Sequence, residues 1–77
     1  MTQQEINTYF LSINYTEVEP NKFVDSTGEF TFVTSITDIH YIHSNYAAVI
    51  KNIYLSTNFE LQNWIDRVIN DSQIPII

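Results

Sequence analysis

Thr57-Asn58-Phe59-Glu60-Leu61-Gln62-Asn63-Trp64-Ile65-Asp66-Arg67-Val68-Ile69-Asn70 is the stretch on which the fold turns. Leu61, Trp64, Ile65, Val68 and Ile69 recur at i, i+3, i+4, i+7 and i+8, which is one apolar stripe of a helix. Glu60, Asn63, Asp66, Arg67 and Asn70 take the opposite side and suit water. Thr57 followed by Glu60 three residues on forms a capping box, each side chain bonding the other's free backbone N–H. The spacing predicts a helix over about 58–70. Its stripe needs a surface to cover, and the preceding chain reads as that surface.

Residues 2–13 repeat the signature. Thr2 and Glu5 make a second capping box, and Ile6, Tyr9, Phe10 and Ile13 fall at i, i+3, i+4 and i+7, predicting a helix over about 3–13. Between the helices lies β-prone sequence. Residues 15–19 alternate until Pro20-Asn21 breaks them, because proline lacks a ladder donor and asparagine tolerates turn geometry. A short strand over 22–25 meets the turn Asp25-Ser26-Thr27-Gly28, where the sole glycine can supply a positive φ. Residues 29–36 are the strongest strand, with Phe30, Phe32, Thr34 and Ile36 on one face and Glu29, Thr31, Val33 and Ser35 on the other. Residues 37–45 fit either a short strand or a structured connection, and 46–55 read as a long strand entering the Thr57 cap. The expected fold is α+β. It is one compact domain over 1–77, a two-layer sandwich of N-terminal helix, three- or four-stranded antiparallel meander and C-terminal helix, ending in the apolar tail 74–77.

The strand over 46–55 is apolar on both faces. One shows Tyr46, Ala48, Ile50, Asn52 and Tyr54, the other Ala47, Val49, Lys51, Ile53 and Leu55. A strand with one wet face should show polar residues there. The expectation is therefore an uncovered row such as Tyr46, Ile50 and Tyr54, offered to a partner or covered by the tail Ile74-Pro75-Ile76-Ile77.

Nine acids against three bases give a formal charge of −6, which disfavours direct binding to nucleic acid or an anionic membrane. Four of the acids, Glu17, Glu19, Asp25 and Glu29, sit within thirteen residues, opposed only by Lys22. On a hairpin Glu17 and Glu19 share a face, and such an acidic edge steers toward a basic partner. With no cysteine, neither disulfides nor thiolate metal sites arise, which fits a reducing compartment. The start Met-Thr-Gln-Gln-Glu has no leader pattern and no apolar run reaches spanning length, so a cytoplasmic protein is expected.

Catalytic patterns are missing. A single glycine excludes a phosphate cradle, and a catalytic Asp-Ser/Thr-Gly loop would need Asp25 one residue closer to Gly28. His40 and His43 could serve a metal only if they converged. On a strand Asp38 and His40 share a face while His43 points away. No cofactor is called for and no enzyme is expected. The reading is a small acidic protein-binding module, in its sharpest form an inhibitor docking on a basic protein such as the cleft of a nucleic-acid enzyme. Glu17, Glu19, Asp25, Glu29, Tyr46, Ile50 and Tyr54 are the candidate contacts. The alternatives are a homodimer built through the open sheet face and, least favoured, a metal-binding protein using His40 and His43.

Overall fold

The computed structural model describes residues 1–73. The chain runs through α1 (Gln3–Ser12), β1 (Thr16–Glu19), β2 (Lys22–Val24), β3 (Thr31–Thr34), β4 (Asp38–His43), β5 (Tyr46–Lys51), a 3₁₀ turn (Asn52–Tyr54) and α2 (Asn58–Gln73). The strands form one sheet in sequence order, each antiparallel to its neighbour. The α+β order of helix, antiparallel meander and helix is as expected, with five strands rather than three or four. The additional strand is β4, from the segment left open between strand and connection. The apolar tail 74–77 lies outside the described residues.

Both ends of α1 are built as its sequence dictates. The Glu5 N–H donates to the Thr2 hydroxyl at 3.1 Å and the Thr2 N–H to the Glu5 carboxylate at 2.9 Å. The Thr2 N–H and hydroxyl hold the Glu5 carboxyl below its ordinary pKa. At the other end Asn14 takes φ 70°, a left-handed conformation asparagine tolerates. This lets the Tyr15 N–H reach the Phe10 carbonyl at 3.1 Å and the Asn14 N–H the Leu11 carbonyl at 3.3 Å, a Schellman motif. Its usual apolar contact is present, with the Tyr15 ring edge-on to Phe10 at 5.2 Å.

The predicted strand 29–36 is trimmed at both ends by side chains that capture backbone groups. Asp25 accepts the N–H groups of Glu29 and Phe30 at 3.1 Å each, so the β2–β3 turn holds these residues before the ladder begins. Ser35 accepts the Asp38 N–H at 3.0 Å and turns the chain, which leaves Ile36 in the β3–β4 turn and 81% exposed instead of beneath a helix. The strand predicted over 46–55 stops at Lys51. Asn52 sends its backbone N–H to Thr37 at 2.9 Å and its side-chain amide to the Ser35 carbonyl at 3.0 Å, and one 3₁₀ turn follows.

Helix α2 opens at Thr57, whose hydroxyl accepts the Glu60 N–H at 3.2 Å. The reciprocal half differs from the predicted box, because Glu60 accepts the N–H of Ser56, one residue earlier, at 3.2 Å. Bonds from the Ser56 hydroxyl and N–H depress the Glu60 pKa. The helix continues past residue 70 to Gln73, where the Ser72 hydroxyl lies 2.7 Å from that of Tyr41 on β4.

Both helices pack on one face. Ile6 and Phe10 from α1 and Leu61, Trp64, Ile65 and Val68 from α2 join Phe23, Phe32, Ile39 and Tyr41 from the sheet in one buried cluster. Phe10 stacks on Phe23 at 5.4 Å, and Trp64 stands edge-on to Phe32 at 5.8 Å. The buried Thr34 hydroxyl donates to Asn7 at 2.6 Å, and the Asn7 amide to Asn21 at 3.0 Å, so the polar groups under α1 are paired. Among the described residues no helix is long and apolar enough to cross a membrane.

Candidate docking surface on the uncovered sheet face

Strand register decides which side chains the helices leave bare. Phe23, Phe32, Tyr41 and Ala48 stand opposite one another on the covered face. Alternate residues therefore form the open face. One row crosses the sheet as Lys22, Val33, His40 and Val49, and the next as Val24, Thr31, Ile42 and Ala47. Asp38 and Lys51 are opposite each other at the end of the β4–β5 pair. Ile42 and Val49 are 51% and 56% exposed, the most open large apolar side chains of these rows.

This face corrects the expected row. Tyr46 and Ile50 lie on the helix-covered side, partly buried against the core, with the Tyr46 ring 5.9 Å from Tyr41. The physical reason is that α2 lies against β5 and takes its larger side chains, leaving Ala47, Val49 and Lys51 outside. Tyr54 leaves the strand in the 3₁₀ turn, stays exposed and borders the open face from the end of β5. It walls a shallow depression of about 430 Å³ with Asp38, His40, Val49 and Lys51. A second depression of about 280 Å³ shares His40 and Val49 and continues over Ile42 and Ala47. Together they make a strip along β4 and β5 with an apolar floor and one aromatic wall.

The four acidic candidates do not assemble into one patch. A register shift between Glu17 and Glu19 places Glu17 opposite the buried Phe23 and Glu19 opposite Lys22, partners that face opposite sides of the sheet. The shared face expected from simple alternation is therefore lost to a bulge. Glu17 accepts the Asn21 N–H at 2.8 Å, which fastens the β1–β2 turn, and Glu19 pairs with Lys22 at 3.1 Å. Asp25 is enclosed by its own turn. Desolvation, the strongest single influence, raises its pKa, but the Phe30 N–H, the Thr27 hydroxyl and N–H, and the Glu29 N–H together hold it below the ordinary value. Glu29 keeps an exposed carboxylate while its carbonyl meets the His43 ring at 3.2 Å.

His40 and His43 diverge as strand geometry requires. The His40 Nε2 lies 3.1 Å from the Asp38 carboxylate on the open face, whereas His43 packs beside Phe30, ring centres 5.1 Å apart. Among the described residues no group of three or more His, Asp or Glu side chains could hold a metal ion.

The open face is close to electrically neutral: Lys22 and Lys51 balance Glu19 and Asp38. The chain's charge of −6 therefore resides on the turns, the outer strand and the helices. Val24, Val33, Ile42 and Val49 were not singled out from the sequence. The signal that could have found them was Lys51, the only charged side chain on β5, which marks its alternate face as the wet one. No protein-family model, curated protein or solved structure matches the chain.

Proposed function

We propose that this chain is a non-catalytic, cytoplasmic protein-binding module that docks on another protein through the open face of β2–β5, with Tyr54 at its border. The observation that carries the reading is the apolar group Val24, Val33, Ile42 and Val49, spread over the two rows of a face left uncovered among the described residues, with His40 between Val33 and Val49 and only a few balanced charges beside them. Such a face loses little by desolvation when covered, which is what the centre of a protein interface requires. The acids around it favour a partner with a basic rim, since complementary charge at a rim raises the association rate and selects partners. An inhibitor of a basic enzyme is one form this takes. The cysteine-free composition supports the proposed compartment.

The test uses the immobilised chain and its Val33→Glu and Ile42→Glu variants in parallel. A basic protein captured by the unaltered chain is purified and titrated against all three. Either substitution should weaken binding by about a hundredfold or more, because a carboxylate is then buried against an apolar contact. Equal affinity for all three, with loss instead on Glu29→Gln or in moderate salt, would place docking on the acidic groups and overturn the assignment to this face.

A further inference from the structure

The two edges of the sheet are built differently. At β1 the ladder is broken by the bulge between Glu17 and Glu19, all four residues are exposed, two carry carboxylates, and Pro20 follows. These are the devices by which natural sheets prevent a further strand from adding. Strand β5 has none of them. Its six residues pair with β4 in unbroken register, it contains no proline, and its only charge is Lys51 at the end. Among the described residues nothing pairs with its outer side.

The direction of its free groups follows from the ladder. The Asn52 N–H donates to Thr37, so hydrogen-bonded positions fall on the even residues, and Tyr46, Ala48 and Ile50 turn their amides toward β4. Ala47, Val49 and Lys51 consequently direct their N–H and C=O groups outward. Beside this edge, on the helix side, a depression of about 360 Å³ opens between Ile50 and Tyr54 on one hand and Asn63, Trp64 and Arg67 of α2 on the other.

We propose that the outer edge of β5 pairs antiparallel with the same edge of a second copy of this chain, joining the two sheets into one. A two-fold axis at Ala48 sets Ala47 opposite Val49 of the partner subunit on the open face. It sets Ile50 opposite Tyr46 of the partner subunit on the helix side, where the ring enters the depression beside α2. Such aromatic and β-branched cross-strand pairs are favourable. Charge at this edge does not oppose a second copy: Lys51 is the only charge on β5, and Glu60 and Arg67 both line the depression beside it. Glu17 and Glu19 stand on the far edge, four strand spacings or about 19 Å away, beyond the Debye length at physiological salt. This surface is separate from the open-face contacts at Val33 and Ile42.

The test combines light scattering after size exclusion with hydrogen exchange on the unaltered chain. At high concentration the mass should be twice the 9.0 kDa of one chain. The amides of Ala47, Val49 and Lys51 should then exchange about tenfold or more slower than at low concentration, while those of Tyr46, Ala48 and Ile50 stay protected throughout. Ala47→Pro removes an outward donor without touching the β4 ladder and should give a folded monomer. A strict monomer at all concentrations would overturn the proposal. So would a dimer in which the three outward amides remain fast. The exchange result stands even if the proline variant does not fold, and Ile42→Glu should leave the dimer intact.

Discussion

The side-chain amide of Asn52 donates to the Ser35 carbonyl at 3.0 Å, tying the end of β5 to the turn between β3 and β4. Asn52 is 4% exposed, and its side-chain oxygen meets no partner among the described residues, so the residue trades one good bond against one desolvated acceptor. Asn52→Ala removes the donor and leaves the Ser35 carbonyl short of a partner, which should cost about 1–3 kcal/mol. A chain of this length has a total stability of roughly 4–12 kcal/mol, so the loss is readily measured by urea unfolding. A change below about 0.5 kcal/mol would show that the tie contributes little.

Trp64 and Ile42 should respond in opposite ways. Trp64 is buried edge-on against Phe32, and Trp64→Ala should remove about 3–5 kcal/mol, a large share of the total stability. Ile42 is half exposed on the open face, and Ile42→Glu should change stability by no more than about 0.5–1 kcal/mol. Thermal unfolding of the two variants side by side checks which face is core.

Acid should weaken the fold partly through Asp25. Its folded pKa is depressed below 3.8, so its stabilising contribution is fully present above the unfolded value and is lost as pH falls through the folded one. Stability measured by denaturant titration should thus decline below about pH 4, and Asp25→Asn should flatten that decline while lowering the plateau at neutral pH. An identical acid limb in the variant would show that the Asp25 turn is not the source.

Ser44 offers a gain. The β4–β5 hairpin turns on two residues, and Ser44 has φ 51° while Asn45 does not share the positive φ, the pattern of a type II′ turn that favours glycine at its first position. Ser44→Gly should raise stability by about 0.5–1 kcal/mol, relief of the strained φ outweighing the added freedom of the unfolded chain. Asn14 and Asn21, at φ 70° and 65°, should gain less from glycine, because asparagine tolerates the left-handed region.

The helices were legible because their signals are local. The spacing of Leu61, Trp64, Ile65 and Val68 and the caps at Thr2 and Thr57 lie within a few residues of one another. What escaped depends on pairings between distant segments. Strand β3 is shortened because Asp25 and Ser35 intercept backbone groups, and neither bond can be read from alternation. The bulge at Val18 shifts parity between Glu17 and Glu19, so a two-residue period placed both on one face. On β5 both faces are apolar except at the terminal Lys51, a single local hint of the wet side, and the packing of α2 is what carries Tyr46 and Ile50 inward. The open face followed from that single parity, which is why the candidate contacts moved to Ile42 and Val49 while Tyr54 kept its place at the border.

The unbroken meander also governs speed. Among the described residues each strand bonds only to its sequence neighbours, across connections that run from the two residues Ser44-Asn45 to the six between Val24 and Thr31. Loop-closure entropy grows only with the logarithm of length, so every hairpin forms against a small barrier, on a scale of about 1–10 μs. No pairing waits for the chain ends to meet, and the sheet can grow one hairpin at a time from any starting turn. The main refolding phase should accordingly be over within milliseconds, fast for a protein built on a five-stranded sheet.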